Sequence, residues 1–136
     1  MIVQAAYPRP LPQLNEMNAY FWRGGADGQL RIIKCEACAL YIHPYQATCH
    51  KCGSSEVGPV AVSGRGTVLA VTVNHQPWFP AVPVPYVIAV VELEEQADIR
   101  LVTNLDIPPE DAKPGLAVKV YFERHGDIFV PLFAPV

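Results

Sequence analysis

At 136 residues, 51% of them apolar and 17% charged, the chain can bury one core, or two small units that share one. Its longest apolar run, Tyr86 to Val91, is too short for a bilayer, which needs about 20 residues, and no basic stretch followed by an apolar one opens the sequence, so the cytoplasm is the expected compartment. The net charge of −3 is uneven, with five basic and three acidic residues from Arg23 to Arg65 but four basic and nine acidic from Gly66 to Val136, a balance that argues against nucleic-acid backbones, whose binding rests on clustered Lys and Arg.

Twelve of the fourteen prolines cluster at Pro8 to Pro12, Pro77 to Pro85, Pro108 to Pro114 and the C-terminus, marking boundaries and loops rather than element interiors. Residues 1–11 read as an extended arm. Leu14, Met17 and Phe21 follow at helical spacing, with Pro12 near the start and Gly24-Gly25 as the stop, which predicts a helix of about three turns. Two readings of that helix stand side by side. It packs on its own domain, or it forms with the arm an exposed element for a partner, because Tyr20 and Trp22 add apolar surface off the main stripe.

Gln29 to Lys34 is strand-like and runs into Cys35-x-x-Cys38, which is followed by Cys49-x-x-Cys52. Two such pairs separated by ten residues let two tight knuckles converge on a tetrahedral ion, and four thiolates satisfy a structural zinc with no open position. Gly53 sits where a knuckle favours positive φ; Ala39 holds the matching place and suits it less well. Disulfides, a redox-active pair and a rubredoxin-like iron site use the same residues. His43 and His50 lie nearby, but the cysteines already complete the shell. No thiol is then left as a nucleophile. Ser54, Ser55 and Ser63 lack a recognisable histidine and carboxylate partner, Ser63-Gly64-Arg65-Gly66 is too short for a phosphate loop, and Glu92, Glu94 and Glu95 read as a solvated strand end. No catalytic residue is expected on this chain.

From Gly64 onward the pattern is all β. Thr67 to Asn74, Tyr86 to Leu93 and Ile99 to Leu105 are strands, and Val118, Val120 and Phe122 alternate with Lys119, Tyr121 and Glu123. Ile128 to Phe133 follows an Arg124-to-Asp127 turn. Five strands with short connections predict a small antiparallel barrel, since closure removes exposed edges. The expected architecture is therefore mainly β: an N-terminal arm and helix over 1–27, a zinc ribbon over 28–60 and a barrel over 61–136.

Between the first two barrel strands lies His75-Gln76-Pro77-Trp78-Phe79-Pro80-Ala81-Val82-Pro83-Val84-Pro85, an unusually apolar loop. Trp78 and Phe79 either fold back as a lid on the barrel core or present a preorganised apolar surface to a partner or an acyl group.

The short helix, the Cys-x-x-Cys…Cys-x-x-Cys-Gly ribbon, Ser63-Gly64-Arg65-Gly66-Thr67-Val68, the strand Pro85 to Leu93 and the Pro114-Gly115 turn together resemble a family of bacterial and archaeal zinc-ribbon/OB-fold proteins associated with acyl-CoA enzymes. The resemblance runs over roughly Leu14 to Pro135. It implies a rubredoxin-like ribbon packed on an OB-fold, with Cys35, Cys38, Cys49 and Cys52 as ligands of structural Zn2+. It also implies a non-catalytic subunit that stabilises a thiolase-fold catalytic partner, a thiolase or a retro-aldol lyase, in a heterotetramer. An acyl-CoA substrate would be shared with that partner, and Trp78, Phe79 and His75 fall in the loop associated with partner or acyl-CoA. Where family members often carry Pro-Pro-Arg between the cysteine pairs, this chain has His43-Pro44-Tyr45. Two competing functions use the same parts: a single-stranded nucleic-acid module, which the acidic barrel half disfavours, and a rubredoxin-like electron carrier.

Overall fold

The structure, a computed structural model, describes residues 1–136. Its N-terminal arm begins with β1 (Ile2–Gln4) and leads to α1 (Ala19–Arg23) and a 3-10 turn over Gly24–Asp27. The helix is one turn and a half rather than three. Asn15 and Asn18 account for the difference: the Asn15 Oδ1 accepts the N–H groups of Met17 and Asn18 at 2.8 and 2.9 Å, and Asn18 Oδ1 accepts that of Asn15 at 2.9 Å. Such local side-chain bonds compete with the helical ladder, and helix begins only at Ala19.

Two sheets follow. The smaller has the order β3-β2-β4, all antiparallel, built from β2 (Leu30–Cys35), β3 (Tyr41–Ile42) and β4 (Val57–Val62). The larger contains β5 (Arg65–Asn74), β6 (Tyr86–Leu93), β7 (Arg100–Asn104), β8 (Ala117–His125) and β9 (Ile128–Pro135), with order β1-β8-β5-β6-β7 and β9 on the other side of β8. The arm, expected to be merely extended, supplies the sixth strand: Ile2, Val3 and Gln4 pair in parallel with Phe122, Glu123 and Arg124, beyond the point where β5 leaves β8. Alternation does what the pattern foretold. Along β6, Val87, Ala89, Val91 and Leu93 are buried against Val68, Val118, Phe122 and Phe133, while the intervening residues face outward.

The expected closed barrel does not form; its last seam, between β7 and β9, stays open. Leu93 donates to Ile99 O at 2.9 Å and Leu105 to Val87 O at 3.3 Å, so the odd-numbered residues of β7 bond β6, and the backbone groups of Arg100, Val102 and Asn104 point away from it. On the facing strand, Val136 donates to Ala117 O and Asp106 donates to Phe133 O, which turns Pro131 and Phe133 toward the seam. Pro131 has no N–H to offer there. Only the Leu105–Phe133 bridge and a 3.4 Å bond from Thr103 Oγ1 to Pro131 O cross the gap.

Three consecutive aromatic residues of α1 hold the layers together. Tyr20 packs on the ribbon cluster of Ile33, Cys35, Ile42 and Cys49, Phe21 on the main core, and Trp22 with Leu14 on Ile128, Val130 and Leu132 of β9. The helix therefore packs on its own chain, and Met17 is left exposed.

Candidate metal centre and apolar cleft

Each cysteine pair opens a knuckle, and the two knuckles carry the same bonds. Ala39 donates to Cys35 O and Gly53 to Cys49 O, both at 2.9 Å, while Cys35 and Cys49 donate to Leu40 O and Ser54 O, both at 2.8 Å. The matching residues Ala39 and Gly53 adopt φ of 66° and 78°, a region that costs Ala but not Gly. The four Sγ atoms lie within 4.8 Å of one another, with Cys35–Cys52 and Cys38–Cys49 at 3.6 Å. That is far beyond a disulfide bond and near the roughly 3.8 Å edge of a tetrahedron with Zn–S bonds of about 2.3 Å. The N–H of Cys52, with that of Lys51 and the neighbouring thiols, lowers the pKa of Cys49, while the same crowding of thiols raises that of Cys52; the thiolate is the form a metal binds. The donor set fits a closed structural zinc site. His50 is exposed and bonds Gln46; His43 is half-buried against the Phe21 ring at 5.2 Å, where burial lowers its pKa. Neither joins the sulfur cluster.

The Pro-rich loop stays on the surface. Trp78 is 69% exposed, Phe79 53%, and His75 is exposed beside them. Trp78 Nε1 donates to Asn74 Oδ1 at 3.1 Å, and Asn74 Nδ2 donates to Gln76 O at 2.7 Å, so the indole is held beside the end of β5 and does not cover the core.

A cleft of about 740 Å³ occupies the open seam. It is lined by β7 and the outward residues Tyr86 and Ile88 of β6, by β9 from Val130 to Phe133, by the arm and α1, and by Tyr45 of the ribbon. The arm is pinned there by Arg9, whose guanidinium donates to Glu123 Oε1 at 2.8 Å and Asn104 Oδ1 at 2.9 Å; His125 Nε2 meets the same carboxylate oxygen at 2.7 Å. Neither the cleft nor this clasp was anticipated from sequence. No local pattern marks them, because Arg9 and Glu123 are 114 positions apart.

A four-thiolate ribbon packed on an OB-type sheet defines the class of zinc-ribbon/OB-fold proteins. Residues 22–58 match the model described as "ChsH2, rubredoxin-like zinc ribbon domain" and residues 59–123 that described as "ChsH2, C-terminal OB-fold domain". The chain belongs to this ChsH2/DUF35 family of zinc-ribbon OB-fold proteins. It is 37% identical over 129 residues to a "Probable enoyl-CoA hydratase alpha subunit" of Thermomonospora curvata, covering 93% of this chain but only 40% of that protein. It is 33% identical to a "DUF35 domain-containing scaffold protein" of Pyrococcus furiosus, covering 74% of each. Among solved structures, a chain of the "Ltp2-ChsH2(DUF35) aldolase" superposes with a TM-score of 0.83 at 35% identity, covering 92% of this chain and 98% of that one. No helix of the structure is long and apolar enough to cross a membrane.

Proposed function

We propose that this chain is the zinc-binding, non-catalytic subunit of an acyl-CoA enzyme whose catalytic residues lie on a thiolase-fold partner, working in the cytoplasm as a heterotetramer. The chemistry is thiolysis or retro-aldol cleavage of a carbon–carbon bond. What carries the reading is the exposed pair Trp78 and Phe79 on a loop stiffened by Pro77, Pro80, Pro83 and Pro85 and anchored through Asn74. Large aromatic side chains held rigidly in solvent are the anchors of a protein interface. Relatives point the same way: one solved neighbour is a chain of an aldolase with two named components, and two curated relatives are alpha subunits of hydratases. In this role His75, Trp78 and Phe79 contact the partner or the acyl-CoA at the subunit boundary, and the zinc keeps the ribbon rigid beneath α1.

Co-expression with the products of the neighbouring genes tests the reading, the expected partner being a thiolase-fold protein. Light scattering is expected to show a stable complex of two copies of each subunit, and Trp78→Ala with Phe79→Ala is expected to weaken it. A chain that stays monomeric while the thiolase-fold protein is fully active alone would sink the proposal.

A further inference from the structure

Natural sheets protect their edges with charge, proline or cover. The outer edge of β7 has none of these at its centre: Val102 stands 76% exposed, and the residues flanking it are Leu101 and Thr103. The hydrogen-bond parity described above turns the N–H and C=O of Arg100 and Val102 to this edge, and no other backbone group of the chain meets them. Pro131 prevents β9 from doing so, and Arg9 meets β7 only through the side chain of Asn104, leaving the backbone of Arg100 and Val102 without a partner. The edge therefore offers two outward donor–acceptor pairs one strand repeat apart, beside an apolar cleft.

We infer that β7 is a strand-addition site, and that an extended segment of the catalytic partner pairs with Arg100 and Val102 while every second side chain enters the cleft beside Tyr45, Tyr86 and Ile88. This rests on the accessory-subunit reading and adds to it the element through which the subunits join. The occupant is a polypeptide because of the chemistry of the edge. Evenly repeated N–H and C=O groups call for amides at the repeat of about 6.8 Å that an extended backbone supplies, which an acyl chain lacks. Alternate side chains of such a segment point to opposite faces, so one set lies with Tyr86, Ile88 and Val102 and the other on the face of Leu101 and Thr103. The apolar walls then select the segment: aliphatic or aromatic residues at every second position.

Val102→Pro is the informative variant. It removes an N–H that β6 does not use, so the β6–β7 ladder stays intact. Val102→Thr keeps that N–H and serves as the control. With the thiolase-fold partner, Val102→Pro is expected to weaken the complex about tenfold or more, whereas Val102→Thr stays within about twofold of the parent. A second measurement does not depend on how Val102→Pro folds. In hydrogen–deuterium exchange of the parent protein, the amides of Arg100 and Val102 exchange rapidly in the free chain and are protected in the complex. A complex that forms with those amides unprotected and with Val102→Pro at parent affinity overturns the inference and leaves the accessory role standing. Failure of the parent to form any complex overturns both. Concentration-dependent protection of the same amides in the chain alone also overturns the inference, because a second copy would then hold the edge.

Discussion

Arg9 and Glu123, at opposite ends of the chain, form a 2.8 Å charge-assisted hydrogen bond with side chains only 14% and 10% exposed. Glu123 Oε1 also meets His125, and Arg9 continues to Asn104 on β7. One guanidinium thus ties the arm to two strands of the larger sheet. Arg9→Met leaves the carboxylate buried beside a neutral side chain, and removing one partner of a buried pair costs about 3 kcal/mol. Urea unfolding is expected to show a loss of that size, with exchange at Ile2 to Gln4 rising first as the arm detaches. Arg9→Met with Glu123→Gln is expected to recover part of the loss.

Gly25 lies flat on the Phe122 ring, so that a methyl group placed there would approach Phe122 Cε1 to 2.6 Å. Phe122 is fully buried and cannot swing aside. Gly25→Ala is expected to cost about 1–3 kcal/mol by overpacking, measured by thermal or urea denaturation. Phe122→Leu in the same chain relieves the clash, so the double variant is expected to lose less than the two single losses added together.

Removal of the metal acts on folding. Cys49→Ser takes one thiolate from a site whose binding energy is folding energy. Bound zinc is expected to fall below one per chain by elemental analysis, and the melting temperature to drop, with the same drop when the parent is treated with a chelator. A Cys49→Ser protein with unchanged zinc content and melting temperature would count against a structural metal.

His43 makes stability depend on pH in a stated direction. Burial against Phe21 lowers its pKa from the ordinary value of 6.5, so the folded chain resists a proton that the unfolded chain accepts. Its contribution is complete above about 6.5 and is lost as pH falls below that value toward the lowered pKa. The melting temperature is expected to decline between pH 7.5 and 5.5, and His43→Phe to flatten the part of that decline due to this residue.

What could be foreseen depended on how local the cause was. The cysteine spacing contains its own geometry, and the two knuckles follow from it residue by residue. Val118, Val120 and Phe122 reveal β8 because one face of a half-buried strand must be apolar, and the same rule identifies β6. The long helix failed because apolar spacing at Leu14, Met17 and Phe21 ignored what Asn15 and Asn18 do to nearby N–H groups. β1 was missed because three residues carry little pattern and their partner strand lies far along the chain. Closure of the barrel was read from strand count, although Pro131 inside a strand pattern already marks an edge. The position of Trp78 and Phe79 was undecided in sequence, since either a lid or an exposed surface satisfies the same residues; the bond to Asn74 decides it.

β1 pairs only with residues 122–124, and outside its own segment Trp22 packs on Ile128, Val130 and Leu132 of β9. During synthesis, therefore, β1 and Trp22 have no sheet to settle on until β8 and β9 have been made, whereas Tyr20 and Phe21 find Ile33 and Ile32 of β2 much sooner. The ribbon can gather its zinc early, because its strands and cysteines are close in sequence, while the N-terminal segment waits as an unpaired apolar tail. Contacts of such long sequence separation form slowly, and a tail of this kind is exposed to wrong partners in the interval. The proposed partner, if already present when the chain is released, would shorten that exposure, so the order in which the two proteins are made would bear on how much correctly folded protein a cell obtains.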